Sequence, residues 1–258
     1  MKIVSLAENT SKRKDIEAEH GLSLYIETGE HKILFDMGQT DMFLRNAETL
    51  GVDLTKVDIA VLSHGHYDHG GGLSAFLSVN RKAPVYISTR AFGAHYNGTE
   101  KYIGLDRSLA SCGRLVFTDD IFKIDDGLCL YHFNKKQKRF ELGSFGLNVC
   151  ENGTFMPDPF YHEQYLEIID DGKKVLISGC SHKGILNITE WFSPDVLVGG
   201  FHFSKLPMDE TLAEYAGFLD SSGCEFYTCH CTGEAQFEFM KGYMKKLKYL
   251  RCGESIEI

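Results

Sequence analysis

A run of six residues that begins at His64 reads His-Gly-His-Tyr-Asp-His and lies between the apolar stretch Ile59 to Leu62 and three glycines. In extended backbone, side chains two apart point the same way, so His64 and His66 can bind one cation. Asp68 and His69, on the turn beyond, can face a second cation. Three imidazoles and one carboxylate favour zinc, with iron or manganese as alternatives. Because this spacing behind a buried strand is rare in a histidine-rich surface turn, the run predicts a site for two metal ions.

Short apolar stretches and helical patterns recur in two halves of the chain. Alternating or apolar runs predict strands, and apolar stripes that end at glycine predict helices. The predicted strands cover residues 3–6, 22–28, 32–35, 59–62, 85–88, 164–170, 174–178, 195–198 and 224–228. The predicted helices begin near residues 41 and 73 and cover 184–191, 209–221 and 234–246. This order indicates a chain built from two βα halves.

The six-residue run resembles the HxHxDH motif of the metallo-β-lactamase superfamily, and the stretches Leu34 to Gly38 and Ala60 to His64 are similar to that superfamily's opening strands. Three later strings, GCSHKGI, GGFHF and CHCTG, resemble one branch, the 7,8-dihydropterin-6-ylmethyl-4-(β-D-ribofuranosyl)aminobenzene 5′-phosphate synthase-like proteins. The resemblance implies an α/β chain folded as a four-layer αββα sandwich. It spans both halves and leaves the middle of the chain largely unmatched.

The middle segment, residues 92 to 160, fits the strand and helix pattern least well because aromatic residues, glycines and charges interrupt it. One interpretation is an insertion packed over the mouth of the site, where superfamily members often carry elements that recognise the substrate. The other is a divergent pair of strands within the core. A length of 258 residues, of which 43% are apolar, suffices for one full core. A single domain spanning residues 1 to 258 is therefore expected.

The resemblance implies that further ligands follow strands of the second half. Most relatives have Gly-Asp where this chain has Gly179 and Cys180, and that aspartate bridges the two metals. His182 is favoured to complete the first site, with Cys180 as a thiolate ligand the alternative. His230, between a strand and a helix, is favoured for the second site. The predicted ligands are therefore His64, His66, Asp68, His69, His182 and His230.

Other polar residues have less defined settings. His202 follows two glycines at a strand end and is predicted to be a site residue, as an acid, a phosphate contact or a ligand. Asp36, at the end of a strand, is predicted to orient a ligand histidine through the second ring nitrogen. We expect ordinary roles for the remaining histidines, which are His20, His31, His132, His95 and His162. Two of them, His95 and His162, lie near the place where some relatives have a third ligand.

The predicted chemistry follows from the metals. A metal-bound hydroxide forms near neutral pH, and Asp68 can hold and deprotonate the water. We therefore expect a metal-dependent hydrolase, with two zinc ions, that acts on a small phosphorylated or ester-type metabolite through Asp68 and His202. The branch resemblance implies an alternative, the condensation of a dihydropterin diphosphate with an aminobenzene ribotide. Because the bridging aspartate is missing, a third interpretation is a non-catalytic binding protein in which the metal serves as a scaffold.

The composition limits which partners and which cellular compartment we expect. The net charge of -9 disfavours nucleic acid, because binding its phosphates needs a basic face. No stretch reaches the roughly 20 apolar residues of a membrane span, and charge comes too early at the N-terminus for a signal peptide. We expect a cytoplasmic protein that binds a small molecule and keeps its eight cysteines as free thiols. The oligomeric state stays open.

Overall fold

The computed structural model describes residues 1 to 258, with 18 strands and six α-helices numbered in chain order. The strands form two sheets of seven strands each and a separate sheet of four strands. Two groups of helices cover the outer faces of the two large sheets. This arrangement determines which ends of the strands meet, and hence where a site can form.

The first sheet combines antiparallel and parallel pairing. Its strands are β1 (Lys2–Ala7), β2 (Ser23–Glu27), β3 (Lys32–Phe35), β4 (Ile59–Val61), β5 (Val85–Ser88), β8 (Leu115–Thr118) and β18 (Ser255–Glu257). β2 pairs antiparallel with β1 and β3, whereas β3, β4, β5 and β8 pair in parallel. β18 pairs with β1, so the two ends of the chain lie side by side.

The second sheet repeats this arrangement. Its strands are β9 (Ile121–Lys123), β10 (Leu128–Tyr131), β13 (Tyr165–Asp170), β14 (Lys173–Ile177), β15 (Val196–Gly199), β16 (Glu225–Thr228) and β17 (Leu247–Tyr249). β14 to β17 pair in parallel, and β13 pairs antiparallel with β10 and β14. Asp171 and Gly172 join β13 to β14 with positive φ angles of 49° and 75°, as a two-residue Asp-Gly hairpin turn requires.

Six helices connect the strands. They are α1 (Met42–Thr49), α2 (Tyr67–Gly70), α3 (Leu73–Val79), α4 (Ile185–Phe192), α5 (Glu210–Ser221) and α6 (Glu234–Met240). The Asp209 carboxylate caps α5 by accepting hydrogen bonds from the amides of Thr211 and Leu212. The prediction of a last helix reaching residue 246 is wrong at its end. The helix stops before Gly242 because the chain must return to the sheet edge, where β17 pairs in parallel with β16.

Three apolar cores separate four layers. The first lies between the two sheets and includes Phe35, Val61, Ile177 and Val198. A second packs α4, α5 and α6 on the outer face of the second sheet, and a third packs α1 and α3 on the first. Truncating one such buried aliphatic side chain to alanine costs roughly 2 to 5 kcal/mol, so these cores fix the relative positions of the strand ends. The predicted αββα sandwich is confirmed.

The middle segment divides between the main sheets and a separate small sheet. β8, β9 and β10 belong to the two large sheets. The small sheet consists of β6 (His95–Asn97), β7 (Lys101–Tyr102), β11 (Leu147–Glu151) and β12 (Thr154–Pro157). Part of the segment therefore belongs to the large sheets and part to the small sheet, and the single-domain organisation with an insertion stays a prediction. The Tyr67 amide donates to the Ile103 carbonyl oxygen at 2.9 Å, which ties the small sheet to the predicted metal loop.

The parallel strands of both large sheets end at one edge of the sandwich. The residues that follow β3, β4, β14, β15 and β16 lie there, because parallel strands share one direction. An antiparallel strand in the same sheet begins at that edge, so the residues before β2 and β13 lie there too. None of the six helices combines the length and the apolar composition needed to cross a membrane. All eight cysteines are free.

A buried histidine away from the predicted ligands gives a test of the packing at this edge. His132 follows β10, is fully buried, and burial lowers its pKa to about 4. Between its ordinary pKa and pH 4 the unfolded chain binds a proton that the folded chain does not, so stability falls as pH drops through this window. Urea unfolding of the metal-free protein measures the free energy of unfolding between pH 7 and pH 4. In His132→Leu we expect this free energy to fall less steeply with decreasing pH than in wild type, by a slope equivalent to up to one bound proton. Identical slopes would contradict this.

Candidate metal centre

Imidazole, carboxylate and thiol side chains from both sheets meet at the edge where the parallel strands end. Within each of five groups, the atoms that could bind a metal lie within 4.8 Å of one another. The groups are His64, His66 and His182; His64, His69 and Cys180; His20, Asp68 and His230; Cys180, His202 and Cys231; and His66, His95, Asp158 and His162. Each ligand predicted from the sequence belongs to at least one group.

A buried carboxylate fixes the proton on His69. Asp36 is fully buried and accepts hydrogen bonds from the Ser63 amide and the Ser63 hydroxyl, both at 2.7 Å. It also accepts from His69 Nδ1 at 2.6 Å, which is the orienting contact predicted for Asp36. With its proton on Nδ1, a neutral His69 turns the lone pair of Nε2 toward the other ligand atoms.

The protons of two further histidines are fixed in the same way. The Ser63 hydroxyl gives its only proton to the buried carboxylate, so it accepts at its 2.8 Å contact with His64 Nδ1. His230 Nδ1 lies 2.7 Å from Asn9 Oδ1, an amide oxygen that also accepts from the Gly21 amide. His64 and His230 therefore carry their protons on Nδ1 and present the lone pairs of Nε2 inward.

These inward nitrogens lie in two close pairs. In the first pair, His64 Nε2 is 3.3 Å from His182 Nε2, and in the second pair, His69 Nε2 is 3.2 Å from His230 Nε2. Two nitrogens bound to one zinc ion at tetrahedral angles and roughly 2.0 to 2.1 Å are about 3.3 Å apart. When His69 and His230 are both neutral, the two lone pairs of the second pair face each other, and a cation would relieve their repulsion. The donor set and its spacing therefore fit a divalent cation at each pair.

Burial keeps the imidazoles of the first group neutral. The pKa values of His64, His66 and His182 lie well below the ordinary value, first because burial removes water and then because neighbouring imidazoles oppose a charge. Neutral imidazole is the form that binds metal ions. Two ring nitrogens of this group, His66 Nε2 and His182 Nδ1, are buried without a hydrogen-bond partner.

Asp68 is the carboxylate closest to the second pair. Its Oδ2 is 3.1 Å from His20 Nε2 and 3.5 Å from His230 Nε2. Burial raises the pKa of this carboxyl, but the adjacent imidazoles of His20 and His230 outweigh burial and hold the pKa well below its usual range. Asp68 is therefore ionised at neutral pH. The contact with His20 differs from the expectation of an ordinary role for that histidine.

Cys180 lies between the two histidine pairs. Its Sγ is 3.2 Å from His69 Nε2 and belongs to a group that also contains His64. Burial raises the pKa of its thiol well above the ordinary value, so a thiolate here needs the charge of a bound cation. The sulfur thus lies among the metal-binding atoms of both pairs, and Cys180 stays an alternative ligand beside His182.

His202 packs beside the first pair. Its ring centroid is 4.4 Å from that of His182 and 5.1 Å from that of Phe145, and its Nδ1 is buried without a partner. His202, His230 and Asp36 all adopt left-handed backbone, with φ of 57°, 48° and 58°. Such conformations in residues other than glycine cost on the order of 1 to 3 kcal/mol each and concentrate at functional sites.

A cavity of about 240 Å³ opens onto these groups. It is lined by Asp68, His182, His202 and His230, together with Lys101 and Lys205. Its walls therefore come from the small sheet as well as from both large sheets. A larger groove of about 650 Å³ lies elsewhere on the surface and contains none of the clustered ligand atoms.

Comparison with known proteins agrees with this geometry. The family model described as the metallo-beta-lactamase superfamily matches residues 16–218. An uncharacterized protein of Methanocaldococcus jannaschii, MJ0448, is 31% identical over 239 residues, which cover 88% of this chain and 89% of that protein. The 7,8-dihydropterin-6-methyl-4-(beta-D-ribofuranosyl)-aminobenzene-5'-phosphate synthase of the same organism is 26% identical over an alignment that covers 100% of this chain and 96% of the synthase.

A solved structure shares the whole architecture. The crystal structure of Tm1679, described as a metal-dependent hydrolase of the beta-lactamase superfamily, superposes with a TM-score of 0.84 and 31% sequence identity. The alignment covers 100% of this chain and 99% of that chain. The matched family model, the shared fold and the clustered histidines agree with the resemblance found in the sequence, and the chain belongs to the metallo-beta-lactamase superfamily.

Proposed function

We propose that the protein is a hydrolase that uses two divalent cations, with zinc the best match, on a small phosphorylated or ester-type substrate. The observation that carries the proposal is the convergence of four Nε2 atoms from both halves of the chain in pairs 3.2 and 3.3 Å apart. Imidazole and thiol donors favour zinc over cations that prefer oxygen. In this proposal the first cation is bound by His64, His66 and His182, and the second by Asp68, His69 and His230.

When bound, the two cations would activate water and polarise the electrophilic oxygen of the substrate. The chain's own residues supply the remaining functions. The ionised Asp68 borders the cavity and can accept a hydrogen bond from water, which orients that water. His202 borders the same cavity, and no neighbour on Nδ1 fixes which ring nitrogen carries the proton. In its protonated form, His202 could give a proton to the leaving group, as a general acid does.

The charge around the cavity supports an anionic substrate. Lys101 and Lys205 both line it, in a chain whose net charge is -9. The Lys205 ammonium donates to the Phe145 carbonyl oxygen at 3.1 Å, which holds this charge beside His202. A volume of about 240 Å³ accommodates a small metabolite and not a polymer. A phosphorylated substrate of low mass is consistent with both features.

The test is turnover by the zinc-loaded protein on substrates that differ in charge. Bis(p-nitrophenyl) phosphate, p-nitrophenyl phosphate, p-nitrophenyl acetate and an acyl thioester cover the proposed classes. We expect zinc-dependent hydrolysis that a chelator abolishes, with the phosphorylated substrates favoured. Lys205→Gln is expected to raise KM for the charged substrates roughly fivefold, about 1 kcal/mol, and to leave KM for p-nitrophenyl acetate unchanged.

A second candidate function is supported by the named relative. The synthase from Methanocaldococcus jannaschii aligns with the full length of this chain, so a condensation that releases diphosphate is the alternative reaction. Incubation with a dihydropterin diphosphate and an aminobenzene ribotide distinguishes the two. Diphosphate release without hydrolysis of the four test substrates would contradict the hydrolase proposal. Tight zinc binding with neither activity would favour a non-catalytic scaffold.

A further inference from the structure

A buried hydrogen-bond cluster lies directly behind the metal loop. Asp158, which follows β12, is 5% exposed, and its Oδ2 lies 2.7 Å from His95 Nδ1 and 3.3 Å from His162 Nε2. Its Oδ1 accepts a hydrogen bond from the Phe160 amide at 2.7 Å. Both histidines are also almost fully buried, 3% exposed for His95 and 1% for His162. The carboxylate therefore has three protein donors and is almost fully shielded from bulk water.

The cluster reaches the metal loop through one hydrogen bond. The Gly65 amide donates to His162 Nδ1 at 2.9 Å, so this nitrogen is unprotonated and the proton of a neutral His162 lies on Nε2. That proton in turn points to the Asp158 carboxylate. Asp158 thus selects the form of His162 that accepts from Gly65. If Asp158 could not accept, the proton could move to Nδ1 and oppose the Gly65 amide.

Gly65 is the residue between His64 and His66, and its backbone has no room to shift away from His162 toward Ala91. A Cβ at Gly65 would lie 2.1 Å from the Ala91 carbonyl oxygen. The backbone of the loop is therefore confined between Ala91 on one side and His162 on the other. Because the two flanking histidines carry the predicted ligand atoms, the position of this amide determines where both imidazoles point.

We propose that Asp158, His95 and His162 are positioning residues that hold the His64-Gly65-His66 backbone in the geometry that binds the first cation. The inference rests on the proposed metal centre and assigns no contact with substrate. It also gives the small sheet a second role besides lining the cavity, because His95 lies on β6 and Asp158 follows β12. The middle segment then contributes to metal affinity without supplying a ligand.

The same residues could in principle form a cation site of their own, together with His66. The hydrogen bonds favour positioning. A metal on His162 Nε2 would move its proton to Nδ1, where the Gly65 N–H already points, and a metal on His95 Nδ1 would displace the 2.7 Å bond to Asp158, so that of these two imidazoles only the unpartnered Nε2 of His95 is open to a cation. A third cation is therefore the competing outcome of the experiment.

The experiment measures metal affinity and the absorption spectrum of the cobalt-loaded protein, and needs no substrate. An asparagine side chain in place of His162 would put its amide oxygen near the position of the imidazole Nδ1, so His162→Asn keeps an acceptor for the Gly65 amide. His162→Leu removes it. In chelator competition we expect His162→Leu and Asp158→Asn to weaken binding of the first cation by about 10- to 100-fold, with a changed cobalt spectrum. His162→Asn is expected to stay within about threefold of wild type.

His132→Leu is the matched control, because His132 is another buried histidine of the middle segment and contacts no proposed ligand. It is expected to keep wild-type affinity and spectrum. Wild-type affinity in His162→Leu, or equal losses in His162→Leu and His162→Asn, would overturn the inference. Three cations in wild type and two in Asp158→Asn would also overturn it, in favour of a cation site. A wild-type protein that binds no metal would instead refute the proposed function.

Discussion

Replacement of both His64 and His66 by alanine is expected to remove the first cation and to lower kcat/KM by at least about 1000-fold, equal to about 4 kcal/mol of transition-state stabilisation. The two imidazoles are neutral, buried and adjacent to His182, and together they supply two of the three ligands proposed for this cation. Metal content measured by mass spectrometry should fall from two cations per chain to one or none. Turnover on the preferred phosphorylated substrate should fall with it.

His31→Ala is the control for this double variant, because His31 lies apart from every clustered group and its imidazole pairs with Asp58 and Asp125. It should keep both cations and full activity. A double variant that keeps two cations and wild-type turnover would contradict the assignment of the loop. Circular dichroism separates loss of metal from loss of fold.

Asp36→Asn is expected to cost about 1 to 3 kcal/mol of stability, because a fully buried donor is left without its acceptor. The amide cannot accept from the Ser63 amide, the Ser63 hydroxyl and His69 Nδ1 together, as the carboxylate does. The protons of His69 and His64 then lose the acceptors that fix them. Metal affinity should fall by about 10- to 100-fold as a result. Urea unfolding and chelator competition measure the two effects.

The matched substitution is Asp58→Asn, since Asp58 also contacts a histidine but is half exposed. A surface pair of this kind contributes at most about 1 kcal/mol, so stability should change little. If Asp36→Asn does not fold, Ser63→Ala provides a milder test, because it removes the acceptor of His64 Nδ1 and one donor to Asp36 but keeps the carboxylate. Unchanged metal affinity in both variants would contradict the role given to this carboxylate.

The part of the site that follows parallel strands could be predicted from the sequence. His64 and His66 come after β4, His182 after β14 and His230 after β16, and each is preceded by an apolar run that is easy to recognise. Because parallel strands end at one edge, the order of strands alone brings these residues together. The prediction of the fold depended on the family resemblance. The αββα layers of the structure confirm that prediction.

The residues that the sequence did not reveal share a topological cause. His20 precedes β2 and His162 precedes β13, and both of those strands run antiparallel to their neighbours. The beginning of an antiparallel strand lies at the same edge as the ends of the parallel ones, so these histidines reach the site from the opposite chain direction. A search limited to strand ends cannot find them. Pairing direction is set by contacts between distant segments, which periodicity does not encode.

Two further contacts depend on tertiary structure alone. Asn9 follows β1 and reaches His230 across 221 residues of sequence, although an asparagine after a strand is an ordinary turn residue. His95 lies on β6 of the small sheet, whose short strands lack an apolar pattern. Neither residue carries a local signal that distinguishes it from a surface polar residue. The role of Asn9 follows from the packing of the segment after β1 against His230, and that of His95 from the packing of the middle segment against the metal loop.

The most direct test of the central claim is a crystal structure of the zinc-loaded protein with anomalous data at the zinc edge. We predict two cations, one about 2.0 to 2.3 Å from His64 and His182 and the other at the same distance from His69 and His230. A single cation, or cations bound without nitrogens from both halves of the chain, would contradict the account.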